Sequence, residues 1–186
     1  GSGVAVRPSR QILMENQEAR NPIKFDELYR ELILDHYRSP RNQGDLEEAT
    51  AAAEGMNPSC GDELRLSIHV EDGAVQEIAF VGQGCSISQA SSSMMTEQVR
   101  GRTLDEVHAI DAKVQQMLTD ESFDVDADAV EIGDLEALQG VARFPVRIKC
   151  ALLAWKVLEQ ALAEATGGEI SGDSEIQTRA AAPAQN

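Results

Sequence analysis

The chain has 186 residues, 42% apolar and 26% charged, with 32 acidic against 16 basic side chains and a formal charge of −16. That composition is ordinary for a globular domain, and the acidity excludes a nucleic-acid binder, which needs a basic stripe. No apolar run reaches the ~18 residues of a membrane span and no charged-then-apolar leader opens the chain, so a cytoplasmic protein is expected.

Residues 1–20 show no sustained period and are expected to form a flexible N-terminus. Within them "GSG" at 1–3 has the composition of an expression scar and is set aside. Residues 21–168 are expected to form a single domain. "KFDELYRELILDHYRSP" places Phe25, Leu28, Tyr29, Leu32 and Leu34 on a helical apolar stripe, which Pro40 ends. Residues 39–56 read as a loop with a short edge strand near "ATAAAE". In "ELRLSIHV", Leu64, Leu66, Ile68 and Val70 alternate with Arg65, Ser67, His69 and Glu71, the pattern of a half-buried strand. Asp72-Gly73 is a hairpin signal, and "AVQEIAFVG" returns as the next strand.

"SISQASSSMMTEQVRG" reads as a helix closed by Gly101, with Ser86 as a possible cap and Met94 and Met95 as core packing. "TLDEVHAIDAKVQQMLT" is a second helix with a capping box from Thr103 to Glu106. Residues 103–138 hold eleven acids against one base, Lys113, which reads as a solvated acidic face. Pro145 opens the last long helix, which ends at Gly167 and Gly168 and carries Trp155 against the sheet or its rim. Residues 169–186 have the composition of a disordered tail. The predicted fold class is α+β: a small antiparallel sheet of about three strands covered on one face by helices. His36, His69 and His108 neighbour no other candidate residue and read as surface or satisfied core.

The cysteines carry the functional signal. Three is an odd number, so metal or catalytic use is favoured over a disulfide framework. Cys60 precedes the first strong strand and Cys85 follows the second. If the strands pair as a hairpin, both lie at one end of the sheet. Cys150 lies early in the last helix. Asp62, two residues after Cys60, adds a carboxylate on the same side of extended backbone. Three thiols and one carboxylate make a tetrahedral donor set for Zn²⁺. The pattern alone leaves open whether they gather round an ion or serve separately as core residues. Arg143, Arg147, Lys149 and Lys156 form a basic cluster around Cys150, a candidate partner contact. Arg147 lies one helical turn before Cys150 and shares its side of the helix.

"NPSCGD", "GQGCSISQASSSMM" and "RIKCALLAWKVL" resemble the three signature segments of the IscU/NifU N-terminal family of iron–sulfur cluster assembly proteins, from about Phe25 to about Ala165. The acidic insertion at about 103–138, Lys149 before the last cysteine, and "FPVRIKC" in place of the chaperone-recognition motif resemble the SufU branch. The resemblance implies an IscU-like fold, with Cys60, Asp62, Cys85 and Cys150 as zinc ligands. It implies a sulfurtransferase in which Cys60 accepts persulfide sulfur from a SufS-type, pyridoxal-phosphate-dependent cysteine desulfurase and passes it to downstream Suf assembly proteins. The catalytic residues it implies are Cys60 and Arg147, the latter near the site or at the desulfurase contact. The alternatives are a scaffold that builds a transient [2Fe–2S] cluster on the same four residues, and a non-catalytic module that zinc braces.

Overall fold

The computed structural model describes residues 22–168 and 175–184. The expected flexible N-terminus lies outside the described residues, as do 169–174 of the expected tail. The elements are helix α1 (Pro22–Arg38), strands β1 (Ala51–Asn57), β2 (Asp62–Glu71) and β3 (Ala74–Gln83), and helices α2 (Ser86–Val99) and α3 (Leu104–Thr119). Two 3₁₀ segments (Val125–Ala127 and Gly133–Arg143), helix α4 (Pro145–Thr166) and strand β4 (Gln177–Ala181) follow.

The sheet is antiparallel with order β3-β2-β1-β4. The β2–β3 hairpin turns through Asp72 and Gly73, both at positive φ (54° and 70°), as a two-residue turn of this hand requires. Two expectations are corrected here. The stretch around "ATAAAE" is no edge strand: β1 lies between β2 and β4 in a four-stranded sheet. The expected disordered tail supplies that fourth strand. Composition hid it because its apolar anchor is one residue, Ile176, buried at 4% exposure. Most of what holds β4 is a backbone ladder, which leaves no side-chain signature.

Helices cover one face of the sheet. On it lie Leu64, Leu66 and Ile68 of β2 and Ile78 and Phe80 of β3, all buried. Helix α4 crosses β1, β2 and β4, and Gly55 makes the crossing possible: a Cβ there would sit 2.4 Å from Val157 Cγ2 and 3.2 Å from Leu153 Cδ1. Residues 45–50 run over part of the opposite face, where the Leu46 N–H donates to buried Ser67 Oγ (3.0 Å) and Arg65 Nε donates to Asp45 (3.1 Å).

Helix α2 is buried on nearly every side. Its small hydroxylated residues allow that, because buried hydroxyls find partners: Ser91 donates to the Ala151 carbonyl of α4 (2.7 Å), Ser92 to the Ser88 carbonyl (2.9 Å), and Thr96 to the Ser93 carbonyl (2.8 Å). Met94, Met95 and Trp155 are fully buried, as expected. The Thr103–Glu106 capping box is present. On α1, Tyr29, Leu32 and Ile33 pack on the core and His36 is buried, whereas Leu28 is 55% exposed; the inward stripe is rotated from the expected one.

The acidic segment is less solvated than expected. Lys113 is buried at 5% exposure and donates to Asp128 (2.7 Å) and the Val130 carbonyl (2.5 Å). Asp111, at 8%, accepts from Gln115 (2.7 Å), which also donates to Glu159 of α4 (2.5 Å). Burial first, with the Glu159 carboxyl beside it, pushes the Asp111 pKa up to about 7, against the Gln115 hydrogen bond.

Candidate metal centre

The site sits where two chain turns meet the start of a helix. Between β1 and β2 the chain reverses through residues 58–61, and Asn57 organises the reversal. Its carbonyl accepts from the N–H groups of Cys60 (3.3 Å) and Gly61 (2.9 Å), and its Oδ1 from Ser59 N–H (3.3 Å). Its Nδ2 reaches across to Cys150 Sγ at 4.0 Å. The turn presents Cys60 to solvent. Asp62, the first residue of β2, points inward at 1% exposure.

Register brings the second thiol to the same end. Glu63 pairs with Gln83, so the start of β2 lies beside the end of β3. The chain leaves β3 through Gly84 (φ +157°), where a Cβ would sit 2.3 Å from Asp62 Oδ1. Cys85 follows as the N-cap of α2, the place expected of Ser86, and its N–H donates to Asp62 Oδ1 at 3.0 Å. Asp62 is thus held by one oxygen against the helix start. Its other oxygen, Oδ2, is buried with no hydrogen-bond partner among the described residues. A buried carboxylate oxygen without a partner is costly, and a cation at this point would offset that cost.

Cys150 arrives from α4, fully buried, with its Sγ 3.5 Å from Cys60 Sγ and 3.8 Å from the Val146 carbonyl. The ligand atoms of Cys60, Asp62 and Cys150 all lie within 4.8 Å of one another. Cys85, half-buried, stands outside that trio at this limit, though its sulfur still acts on Cys150. Burial, then the Asp62 and Cys60 side chains beside it, then Cys85 push the Cys150 thiol well up. Without a cation Cys150 therefore disfavours its thiolate, and a divalent ion reverses that preference. Two or three thiols with a carboxylate suit Zn²⁺ or an iron–sulfur centre.

Around the site the basic cluster is mostly neutralised. Arg143 pairs with Asp26 (3.4 Å), Lys149 with Glu175 (2.7 Å) and Lys156 with Glu159 (3.6 Å). Arg147 is exposed and has no ion pair among the described residues. Beside it Phe144 and Val146 stand 60% and 66% exposed. The sequence reading missed this apolar pair, although a phenylalanine and a valine flanking Pro145 at a helix start were visible.

A second cluster joins His36 to Glu97 and Asp134. His36 Nδ1 hydrogen-bonds Ser93 Oγ (2.8 Å) and Nε2 hydrogen-bonds Asp134 (2.9 Å). Both ring nitrogens are satisfied, as expected of a core histidine. His69 likewise meets the Glu48 carbonyl and Glu71 on the surface.

The chain is similar to known proteins. Residues 28–168 match the NifU-like N terminal domain family. The zinc-dependent sulfurtransferase SufU of Bacillus subtilis is 43% identical over 144 residues, covering 77% of this chain and 95% of that protein. The iron–sulfur cluster assembly scaffold protein IscU of Thermotoga maritima is 39% identical over 138 residues, covering 74% and 94%. A crystal structure of an iron–sulfur cluster assembly scaffold protein for the SUF system, from Fervidobacterium islandicum, superposes with a TM-score of 0.64 at 35% identity, covering 71% and 94%. The chain belongs to the NifU-like N-terminal domain family, on whose α+β fold it gathers Cys60, Asp62, Cys85 and Cys150 at one end of the sheet.

Proposed function

We propose that this chain is a zinc-dependent sulfurtransferase of iron–sulfur cluster assembly, which takes persulfide sulfur on Cys60 from a SufS-type cysteine desulfurase and hands it to downstream Suf assembly proteins. The observation that carries the reading is the unequal exposure of the cluster. Cys60 lies open on its turn while Asp62 and Cys150 behind it are buried. Cys60 is the thiol open to a partner, and the buried Asp62 and Cys150 behind it are suited to holding an ion.

The ligands proposed for zinc are Cys60, Asp62, Cys85 and Cys150. When bound, Zn²⁺ keeps the thiols deprotonated at neutral pH and out of reach of oxidants, without redox chemistry of its own. Asp62 is the adaptable ligand. A carboxylate is harder than thiolate, and its Oδ1 is already shared with the Cys85 N–H, so the shell can loosen when a partner docks. The Cys60 sulfur, as thiolate, attacks the sulfane sulfur of the desulfurase persulfide. An S–S bond forms at Cys60 as the donor's S–S bond breaks, and the donor cysteine leaves as thiolate, with no net oxidation. Arg147, exposed and without an ion pair among the described residues, is placed to meet the anionic persulfide or an acidic group on the partner. Phe144 and Val146 give that encounter an apolar centre. Such thiol chemistry needs a reducing compartment, and we place the protein in the cytoplasm. No helix among the described residues is long and apolar enough to cross a membrane.

The test is desulfurase turnover with this protein added, with and without a zinc chelator. Stimulation that chelation abolishes is the expected result; equal turnover in both arms refutes the proposal. The identity of 39% to a relative named as a scaffold favours cluster assembly on the same residues as the second reading. Metal analysis separates the two: zinc in colourless protein supports relay, iron with charge-transfer absorption supports the scaffold.

A further inference from the structure

The family match ends at Gly168, before β4. Without β4, the sheet order leaves β1 as an edge strand. Edge strands carry unpaired N–H and C=O groups that template pairing with another chain, and proteins blunt them with charges, prolines, bulges or short length. The other edge of this sheet is blunted by its own chain, for Gln43 bridges to Phe80 of β3 and the Gly44 N–H donates to the Phe80 carbonyl (2.7 Å). β1 has no such device. It runs seven residues, "AAAEGMN", without lysine, arginine, proline or bulge. Its one charge, Glu54, is neutralised by Arg65 at 3.2 Å.

β4 supplies what β1 lacks. It pairs with five residues of β1, from Ala52↔Ala181 to Met56↔Gln177. It is fastened at four points: buried Ile176, Thr178 Oγ1 donating to Gln160 (3.1 Å), Arg179 on Glu54 (2.7 Å), and Arg65 Nη2 donating to the Ala182 carbonyl (2.7 Å). As the new edge it is short, carries exposed Arg179, and is followed by Pro183.

We propose that β4 is an edge guard, which covers in cis a β1 edge that otherwise pairs with β1 of a second copy of this chain. A self-pairing antiparallel strand makes an isologous contact that closes on a twofold axis, so a dimer is the expected product, not a fibre. Small side chains at Ala51, Ala52, Ala53 and Gly55 leave that approach unobstructed.

The experiment uses the full chain. The Ile176→Asp/Thr178→Pro double variant removes the buried anchor and interrupts the ladder. The wild type is expected to remain monomeric by light scattering after size exclusion, and the variant to double its molar mass with rising concentration. Saturating synthetic peptide of residues 175–184, supplied in trans, returns it towards monomer. Arg179→Glu, which turns the Glu54 contact repulsive without touching the core, gives the same shift more weakly and covers the case in which the double variant fails to fold. Hydrogen exchange at residues 177–181 reports release of the strand. A variant that stays monomeric with these amides exchanging freely overturns the proposal. So does one whose amides stay protected, or a wild type that is already dimeric.

Discussion

Gly84→Ala tests the site's construction without altering any proposed ligand. A Cβ at Gly84 would stand 2.3 Å from Asp62 Oδ1, about 1 Å inside ordinary van der Waals contact. Either the carboxylate retreats by about that distance or the chain entering α2 does, and each movement strains the 3.0 Å hydrogen bond from the Cys85 N–H. Zinc–carboxylate bonds tolerate only about ±0.2 Å, so Asp62 would leave the position from which it is proposed to bind zinc. Loss of a group that orients a ligand typically lowers metal affinity ~10–100-fold, or ~1.4–2.7 kcal/mol. Alanine at φ +157° adds about 1–3 kcal/mol of backbone strain. Gly44→Ala is the control, since Gly44 also has a strained φ of +136° but no atom within 4 Å of its Cβ position; it is expected to lose stability and keep its zinc. The assay is chelator competition for zinc, with circular dichroism to establish folding. Unchanged zinc affinity in folded Gly84→Ala would refute the reasoning, because Asp62 would then not need the position it occupies.

Cys60→Ser, measured as chelator-treated protein, is expected to unfold within about 0.5 kcal/mol of wild type, because Cys60 is exposed on a turn. Mass spectrometry after incubation with desulfurase and cysteine is expected to show no added sulfur on it; a persulfide elsewhere at wild-type yield would reassign the acceptor. Gly55→Val drives a side chain into Val157 and Leu153 and is expected to cost roughly 1–3 kcal/mol, read as a lower denaturation midpoint; an unchanged midpoint would mean that α4 shifts freely on β1. Asp111 has a folded pKa raised to about 7 from 3.8, so the native state binds the extra proton between those values and loses stability as pH rises from about 4 to about 7. Asp111→Asn is expected to flatten that part of the wild-type profile in denaturant titrations, and a superimposable profile would count against the raised pKa that burial, with Glu159 beside it, gives Asp111.

Much of this protein is legible in the chain. Strict alternation from Leu64 to Val70 marks β2, because a half-buried strand must alternate. Asp72-Gly73 marks the hairpin, because both residues tolerate positive φ. Once that hairpin is drawn, Cys60 and Cys85 fall at the same end of the sheet, where the Glu63↔Gln83 register puts the start of β2 beside the end of β3. The Thr103–Glu106 capping box is likewise a local signal with a local cause.

Other features were decided only in three dimensions. The depth of Cys150 and the burial of Asp62 depend on how α4 lies across the sheet, which Gly55 permits at a distance of about a hundred residues in sequence. The dismissal of Lys113 and Asp111 as solvated charges failed because each is covered by an element remote in the chain or bonded across a loop. β4 escaped notice because a strand held by backbone hydrogen bonds need show no apolar alternation. Local pattern therefore determined the helices and the first three strands, though not β4, and where the thiols start. Packing between distant segments determined which thiol faces solvent, which carboxylate oxygen lacks a partner and which sheet edge is closed, since burial and hydrogen-bond satisfaction belong to pairs of segments and never to one alone.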